Sequence, residues 1–109
     1  MTHKELWQGL AGIMEAVSGE DVTVKTRREP VPILRSMVWR RMREAGLSSV
    51  KVAKAAGYNG ATVRQACINL QYAIDHPLMY WDVMDYYHKF NDKANEYIHE
   101  RTNGIPCDL

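Results

Sequence analysis

Residues 49–68, SVKVAKAAGYNGATVRQACI, decide the fold of this 109-residue chain. Two short helices that cross steeply need a small residue at their contact, a glycine at the sharp turn that follows, and an apolar residue beneath that turn. The second helix must then present apolar residues to the first. The positions that meet these requirements are Ala53, Gly57, Tyr58, Val63 and Ala66. The segment therefore predicts a helix-turn-helix, with an ordinary helical hairpin as the alternative.

The rest of the chain is predicted to form helices and short connectors, with no strand. Thr2 and Glu5 have the spacing of a capping box at the start of a helix that ends at Ser18. Further helices are expected over residues 33–45, 49–56, 61–74 and 77–101, the last one capped by Asp75. The side chains expected to point away from the core on the second helix are Arg35, Trp39, Arg40 and Arg43. We therefore expect an all-α, compact single domain of about five helices with a long C-terminal helix.

Positive charge is concentrated in the middle of the chain. Residues 24–64 hold ten basic and two acidic side chains, a net charge of +8, whereas the whole chain carries +1. Concentrated positive charge suits a polyanion such as DNA, and a solvated basic face without a partner is the alternative. The cations expected to contact the DNA backbone are Lys25, Arg27, Arg28, Arg35, Arg40, Arg43, Lys51 and Lys54.

The predicted second helix of the helix-turn-helix carries side chains that suit base recognition. Arg64 can donate two hydrogen bonds to guanine, and Gln65 can pair with adenine in the major groove. Thr62 and the unpaired amides at the start of this helix suit a phosphate. Asn59 and Ala61 lie at the same exposed end, and simple solvation of Arg64 and Gln65 is the alternative.

Residues 19–74 resemble the C-terminal DNA-binding domain of the bacterial replication initiator DnaA. The stretches that carry the resemblance are KTRREPVPILRSMVW, SSVKVAKAAG and NGATVRQA. The resemblance implies that Arg27 is a loop arginine that reaches the minor groove, that Arg35 lies near a helix start, and that Thr62-Val63 match the family's Thr-Val. It also implies a stand-alone relative of the kind that a phage or mobile element encodes.

The chain departs from that family where the family reads its own DNA site. Tyr58, Asn59 and Gly60 stand in place of Arg-Asp-His, Ala61 in place of a hydroxyl residue, and Gln65 in place of a later His. The nucleotide-binding motif GxxxxGK[ST] of the initiator is also absent. The resemblance therefore supports DNA binding more than it supports any particular DNA sequence.

The last predicted helix carries an apolar stripe with alternating spacings of three and four. Its members are Tyr80, Val83, Tyr87, Phe90, Ala94 and Tyr97, widened by Trp81, Met84 and Ile98. Three uses remain open: packing against the domain core, docking to another protein, or pairing in a homodimer. A homodimer would present two recognition helices about 34 Å apart, one turn of DNA.

Nothing in the sequence indicates catalysis or a bound cofactor. His3, His76, His88 and His99 are scattered without the spacing of metal ligands, and no nucleophile has an activating neighbour. Cys67 and Cys107 give no disulfide framework. We therefore expect a cytoplasmic, nucleoid-associated protein without enzymatic activity, metal, small-molecule substrate or membrane partner.

Two functions are consistent with these patterns. The first is a double-stranded DNA-binding protein in replication or transcription control, with its recognition helix in the major groove and its basic loop on the backbone or in the minor groove. The second is a module that keeps the helix-turn-helix fold but binds a replication or transcription factor. The loss of Arg-Asp-His and the acidic, aromatic last helix favour the second.

Overall fold

Five α-helices form the part of the chain that the computed structural model describes, residues 1–103. They are α1 (His3–Ser18), α2 (Val31–Glu44), α3 (Ser49–Ala56), α4 (Gly60–Asp75) and α5 (Trp81–Asn103). The predicted all-α class of about five helices with a long last helix is confirmed, and α3 and α4 are the two helices of the predicted helix-turn-helix. No described helix is both long and apolar enough to span a bilayer.

The turn between α3 and α4 follows the steric expectation. Gly57 has φ +80° and ψ +35°, the left-handed region that glycine enters without a Cβ penalty. Its amide and that of Tyr58 both donate to the Ala53 carbonyl oxygen, at 2.8 and 2.9 Å. Ala53 and Val63 are buried, and the half-buried Tyr58 packs edge-on against Trp39 with 4.9 Å between ring centres. The turn is thus fixed both by backbone hydrogen bonds and by the aromatic contact beneath it.

Helix α2 lies at the centre of the fold and packs against the other four helices. It is therefore buried on more of its circumference than a single stripe predicts. Trp39 and Arg35, which we expected to point away from the core, are 2% and 6% exposed. Ala45, predicted as the last residue of this helix, is instead the exposed C-cap residue that follows Glu44.

Helix α5 begins four residues later than predicted. Asp75 does not cap it; Asp75 is the last residue of α4, and its carboxylate accepts a hydrogen bond from the Gln71 amide nitrogen at 3.0 Å. Residues 76–80 form a turn, and the Tyr80 carbonyl oxygen accepts from Val83 and Met84. The five-residue turn follows because Pro77 lacks an amide hydrogen and the His76 backbone leaves the helical conformation. The Asn103-Gly104 pair follows the predicted end of α5; Gly104 lies outside the described residues, as does Cys107.

The apolar stripe of α5 is covered within the same chain. Val83, Met84, Phe90 and Ala94 are buried in the common core, where α5 packs against α1 and α2. The tyrosines of the stripe and Ile98 pack against that core, and Trp81 alone among the stripe residues is largely exposed. The stripe therefore fulfils the expectation that α5 packs back onto the domain, and it offers little surface for a homodimer.

Candidate nucleic-acid interface

The start of α4 is open to solvent. Asn59 caps the helix: its Oδ1 accepts hydrogen bonds from the Thr62 amide at 2.8 Å and from the Thr62 hydroxyl at 2.9 Å. Asn59, Ala61 and Thr62 are exposed. A Cβ at Gly60 would lie 3.3 Å from Val50, so the absence of a side chain there lets α4 begin close to α3. The end of the helix that we expected to face a ligand is therefore accessible.

The next turns of α4 continue this exposed surface. Arg64 and Gln65 are exposed; Arg64 makes a long hydrogen bond, 3.3 Å, to the Ser49 hydroxyl, and Gln65 donates to Asn69 Oδ1 at 3.0 Å. Arg64 and Gln65 are themselves exposed, so each can exchange its neutral partner for a ligand at small cost. Ile68, one turn later, is 62% exposed.

The basic loop before α2 is attached to the turn of the helix-turn-helix. The Lys25 ammonium donates to the Gly57 carbonyl oxygen at 2.7 Å and lies 4.9 Å from the centre of the Tyr58 ring. Arg27 is exposed and lines the same cavity as Lys25 and Thr62. Two elements that are distant in the sequence, the loop and the start of α4, therefore form one surface.

Arg28 lies at the base of the same loop but has an acidic partner. Its guanidinium forms an ion pair with Glu20, with 3.0 Å between Nη2 and Oε2. The Arg28 side chain is 65% exposed, so this pair is solvated and weak. Arg28 can bind a phosphate only when its ion pair with Glu20 is broken.

Arg35 has an internal role, which differs from the expected contact with DNA. Its Nε donates to the Val22 carbonyl oxygen at 3.0 Å, and its Nη2 donates to the carbonyl oxygens of Val24 and Thr26. The guanidinium also lies near the rings of Trp39 and Tyr58. Because α2 is central, a side chain predicted to face solvent instead holds the basic loop in place.

Arg40 and Arg43 lie at the other end of α2, beside the middle of α4. The Arg40 Nη1 donates to Gln71 Oε1 at 2.6 Å, and its Nε lies 3.8 Å from the Glu44 carboxylate. The exposed Arg43 neighbours the half-buried Cys67; burial raises the pKa of the Cys67 thiol, and the hydrogen bond with Arg43 opposes that shift. Arg43 is the freer of the two cations, because Arg40 is held by partners on both sides.

Lys51 and Lys54 are exposed on α3 and extend the basic surface toward the start of α1. Both line a shallow cavity together with Lys4. Among the predicted site residues, the structure thus gathers Lys25, Arg27, Asn59, Ala61 and Thr62 most closely. Arg64 and Gln65 continue that surface along α4, and Lys51 and Lys54 lie on the neighbouring helix.

Two features of the surface were not predicted from the sequence. The first is that Trp39 and Tyr58 line a cavity beside the basic loop. The second is an apolar corner between α4 and α5, formed by Tyr72, Leu78, Met79 and Trp81, which are 50%, 90%, 66% and 73% exposed. The sequence signal for this corner was the pair Leu78-Met79 directly after Pro77, which lies outside the predicted stripe of the last helix.

Within residues 1–103, no three His, Cys, Asp or Glu side chains are grouped so that they could hold a metal ion. Comparison of the chain with protein-family models, with curated proteins and with solved structures found no match. The resemblance to the DnaA C-terminal domain therefore rests on the sequence motifs alone.

Proposed function

We propose that this protein is a non-catalytic double-stranded DNA-binding protein. In this proposal the start of α4 enters the major groove, and the basic loop contacts the backbone or the adjacent minor groove. The observation that carries it is the hydrogen bond from Lys25 to Gly57, which holds a loop of three cations beside an accessible helix start. A role in replication or transcription control, at the nucleoid, follows from the resemblance to the initiator domain.

The side chains divide into two roles under this proposal. Arg64 and Gln65 read base edges from the exposed face of α4, and a good bidentate pair contributes about 1–3 kcal/mol of discrimination. Lys25, Arg27, Arg43, Lys51 and Lys54 bind phosphates without reading sequence. Arg35 acts indirectly, because it holds the loop that carries Lys25 and Arg27.

Selection from a random duplex library, followed by titration of the selected and the random duplex, tests these roles. Arg64→Ala is expected to lower affinity for the selected duplex more than for the random one. Lys51→Ala is expected to weaken both alike, and Lys93→Ala on α5 serves as the control cation. Equal losses by the Arg64 and Lys51 variants on both duplexes would show that α4 does not read bases.

The alternative function, a helix-turn-helix-fold module that binds a replication or transcription factor, is favoured by the apolar corner. An exposed cluster of Leu78, Met79 and Trp81 is unusual on a small domain and is typical of binding surfaces. The double variant Leu78→Ser/Trp81→Ser tests whether this corner takes part in DNA binding: duplex affinity is unchanged if α4 and the basic loop form the DNA interface. A loss of duplex affinity in this variant would contradict the assignment of the interface to α4 and the loop.

A homodimer through α5 is not part of either function, because its apolar stripe is used within the chain.

A further inference from the structure

A cavity of about 400 Å³ lies between the basic loop and the helix-turn-helix. Three cations line it, Lys25, Arg27 and Arg35, and so do the side chains of Trp39, Tyr58 and Thr62. No carboxylate of residues 1–103 lines it. Every charged group that these residues bring to the cavity is therefore positive, and the ligand that complements it is an anion.

Arg35 supplies a buried positive charge without an acidic partner. Its side chain is 6% exposed, and no Asp or Glu among the described residues forms an ion pair with it. Buried charges in proteins are normally paired, because removal from water is unfavourable. The groups that contact it are three carbonyl oxygens and two aromatic rings, none of which carries a negative charge. An anion in the cavity would complete the compensation.

Two polar atoms of the same lining residues have no hydrogen-bond partner among the described residues. They are the Trp39 indole Nε1 and the Tyr58 hydroxyl, both out of contact with solvent. An indole N–H can only donate, and a phenol can donate, so both suit an oxyanion. Both atoms are closed off from solvent, so a ligand reaches them only when a neighbouring side chain moves.

We propose that this cavity binds a phosphate group. Phosphate offers several acceptor oxygens to donors on different sides of a pocket, and arginine and lysine are its usual partners in proteins. The identification of this phosphate as part of a DNA backbone rests on the proposed function. It is consistent with the position of the cavity, which Thr62 places directly beside the exposed start of α4. The pocket then fixes the position of the duplex relative to α4, whereas the surface lysines only attract it.

The chain has three tryptophans, and the indole N–H signal of Trp39 reports on this pocket by nuclear magnetic resonance. Trp39→Phe assigns the Trp39 signal, and if that variant does not fold, Trp7→Phe and Trp81→Phe assign it by elimination. The full chain is titrated with a random-sequence duplex, with inorganic phosphate, and with chloride at equal ionic strength. We expect the duplex and phosphate, but not chloride, to shift the Trp39 signal, while Trp81, which does not line the cavity, stays in place.

Tyr58→Phe provides a second readout. Loss of one hydrogen bond to a charged ligand is expected to weaken duplex affinity about tenfold. Tyr72→Phe is the matched control, because Tyr72 lies on α4 outside the cavity.

The outcomes separate the pocket from the proposed function. If the duplex binds while the Trp39 signal is unmoved and Tyr58→Phe binds as the parent does, the pocket proposal is overturned and DNA binding stands. If phosphate moves the Trp39 signal but no duplex binds in a mobility-shift assay, the pocket is supported and the DNA source is overturned. If neither ligand moves that signal, the pocket proposal fails whatever the duplex does elsewhere.

Discussion

At the scale of single residues, Arg35 joins the basic loop to the central helix. Its guanidinium donates to three loop carbonyl oxygens, and hydrogen bonds to charged groups contribute about 1.5–3 kcal/mol each. We therefore expect Arg35→Gln to lower the free energy of unfolding by about 3 kcal/mol, measured by urea denaturation. The exposed Arg27→Gln should change it by less than about 0.5 kcal/mol. Equal stability of the Arg35 variant and the parent protein would show that the loop does not depend on this residue.

At the scale of elements, α1 offers a matched pair of glycines. A Cβ at Gly12 meets nothing within 4 Å, so Gly12→Ala should raise the free energy of unfolding by about 1 kcal/mol through helix propensity. A Cβ at Gly9 would overlap the Tyr97 hydroxyl of α5. Gly9→Ala should therefore raise the free energy of unfolding by less than Gly12→Ala does, or lower it. Thermal or urea unfolding of the two variants measures the difference. An equal gain in both would mean that α1 and α5 do not pack at Gly9.

The sequence predicted correctly those features that depend on interactions between residues close together in the chain. The cap at Thr2, the left-handed Gly57 and the apolar residues of α3 and α4 act within a few positions, and their predicted places were correct. The Thr2 and Glu5 side chains bond each other, at 3.1 Å, in addition to the capping bond. Burial of Trp39 and Arg35 depends on four helices meeting around α2, which the periodicity of one helix does not contain. For the same reason the sequence did not predict the cavity beside Tyr58.

At the scale of the whole molecule, the proposed phosphate-binding cations together determine how strongly duplex affinity depends on salt concentration. Each phosphate that is neutralised lowers log affinity by about 0.9 per decade of salt concentration. The double variant Lys51→Ala/Lys54→Ala should therefore reduce the magnitude of this slope by about two, as measured by duplex titration at several salt concentrations. Lys89→Ala/Lys93→Ala on α5 should leave the slope unchanged. Identical slopes for both double variants would remove α3 from the interface.

The stability of the whole molecule also depends on α5, because α5 contributes buried side chains to the common core. Phe90 is fully buried, and removal of a buried phenyl ring typically costs about 3–5 kcal/mol. Phe90→Ala should lower the free energy of unfolding by that amount, and the loss should not vary with protein concentration. Phe90→Leu is the milder variant if the first does not fold. Stability that rises with protein concentration would instead indicate that α5 pairs between chains.

The most direct measurement of the central claim is a titration of the isotope-labelled chain with duplex DNA, followed through the backbone amide signals. If the loop and the start of α4 form one interface, the amides of residues 25–28 and 59–65 will shift together, and those of residues 85–100 will stay in place. Shifts confined to residues 76–81, or no shifts at low salt, would contradict it.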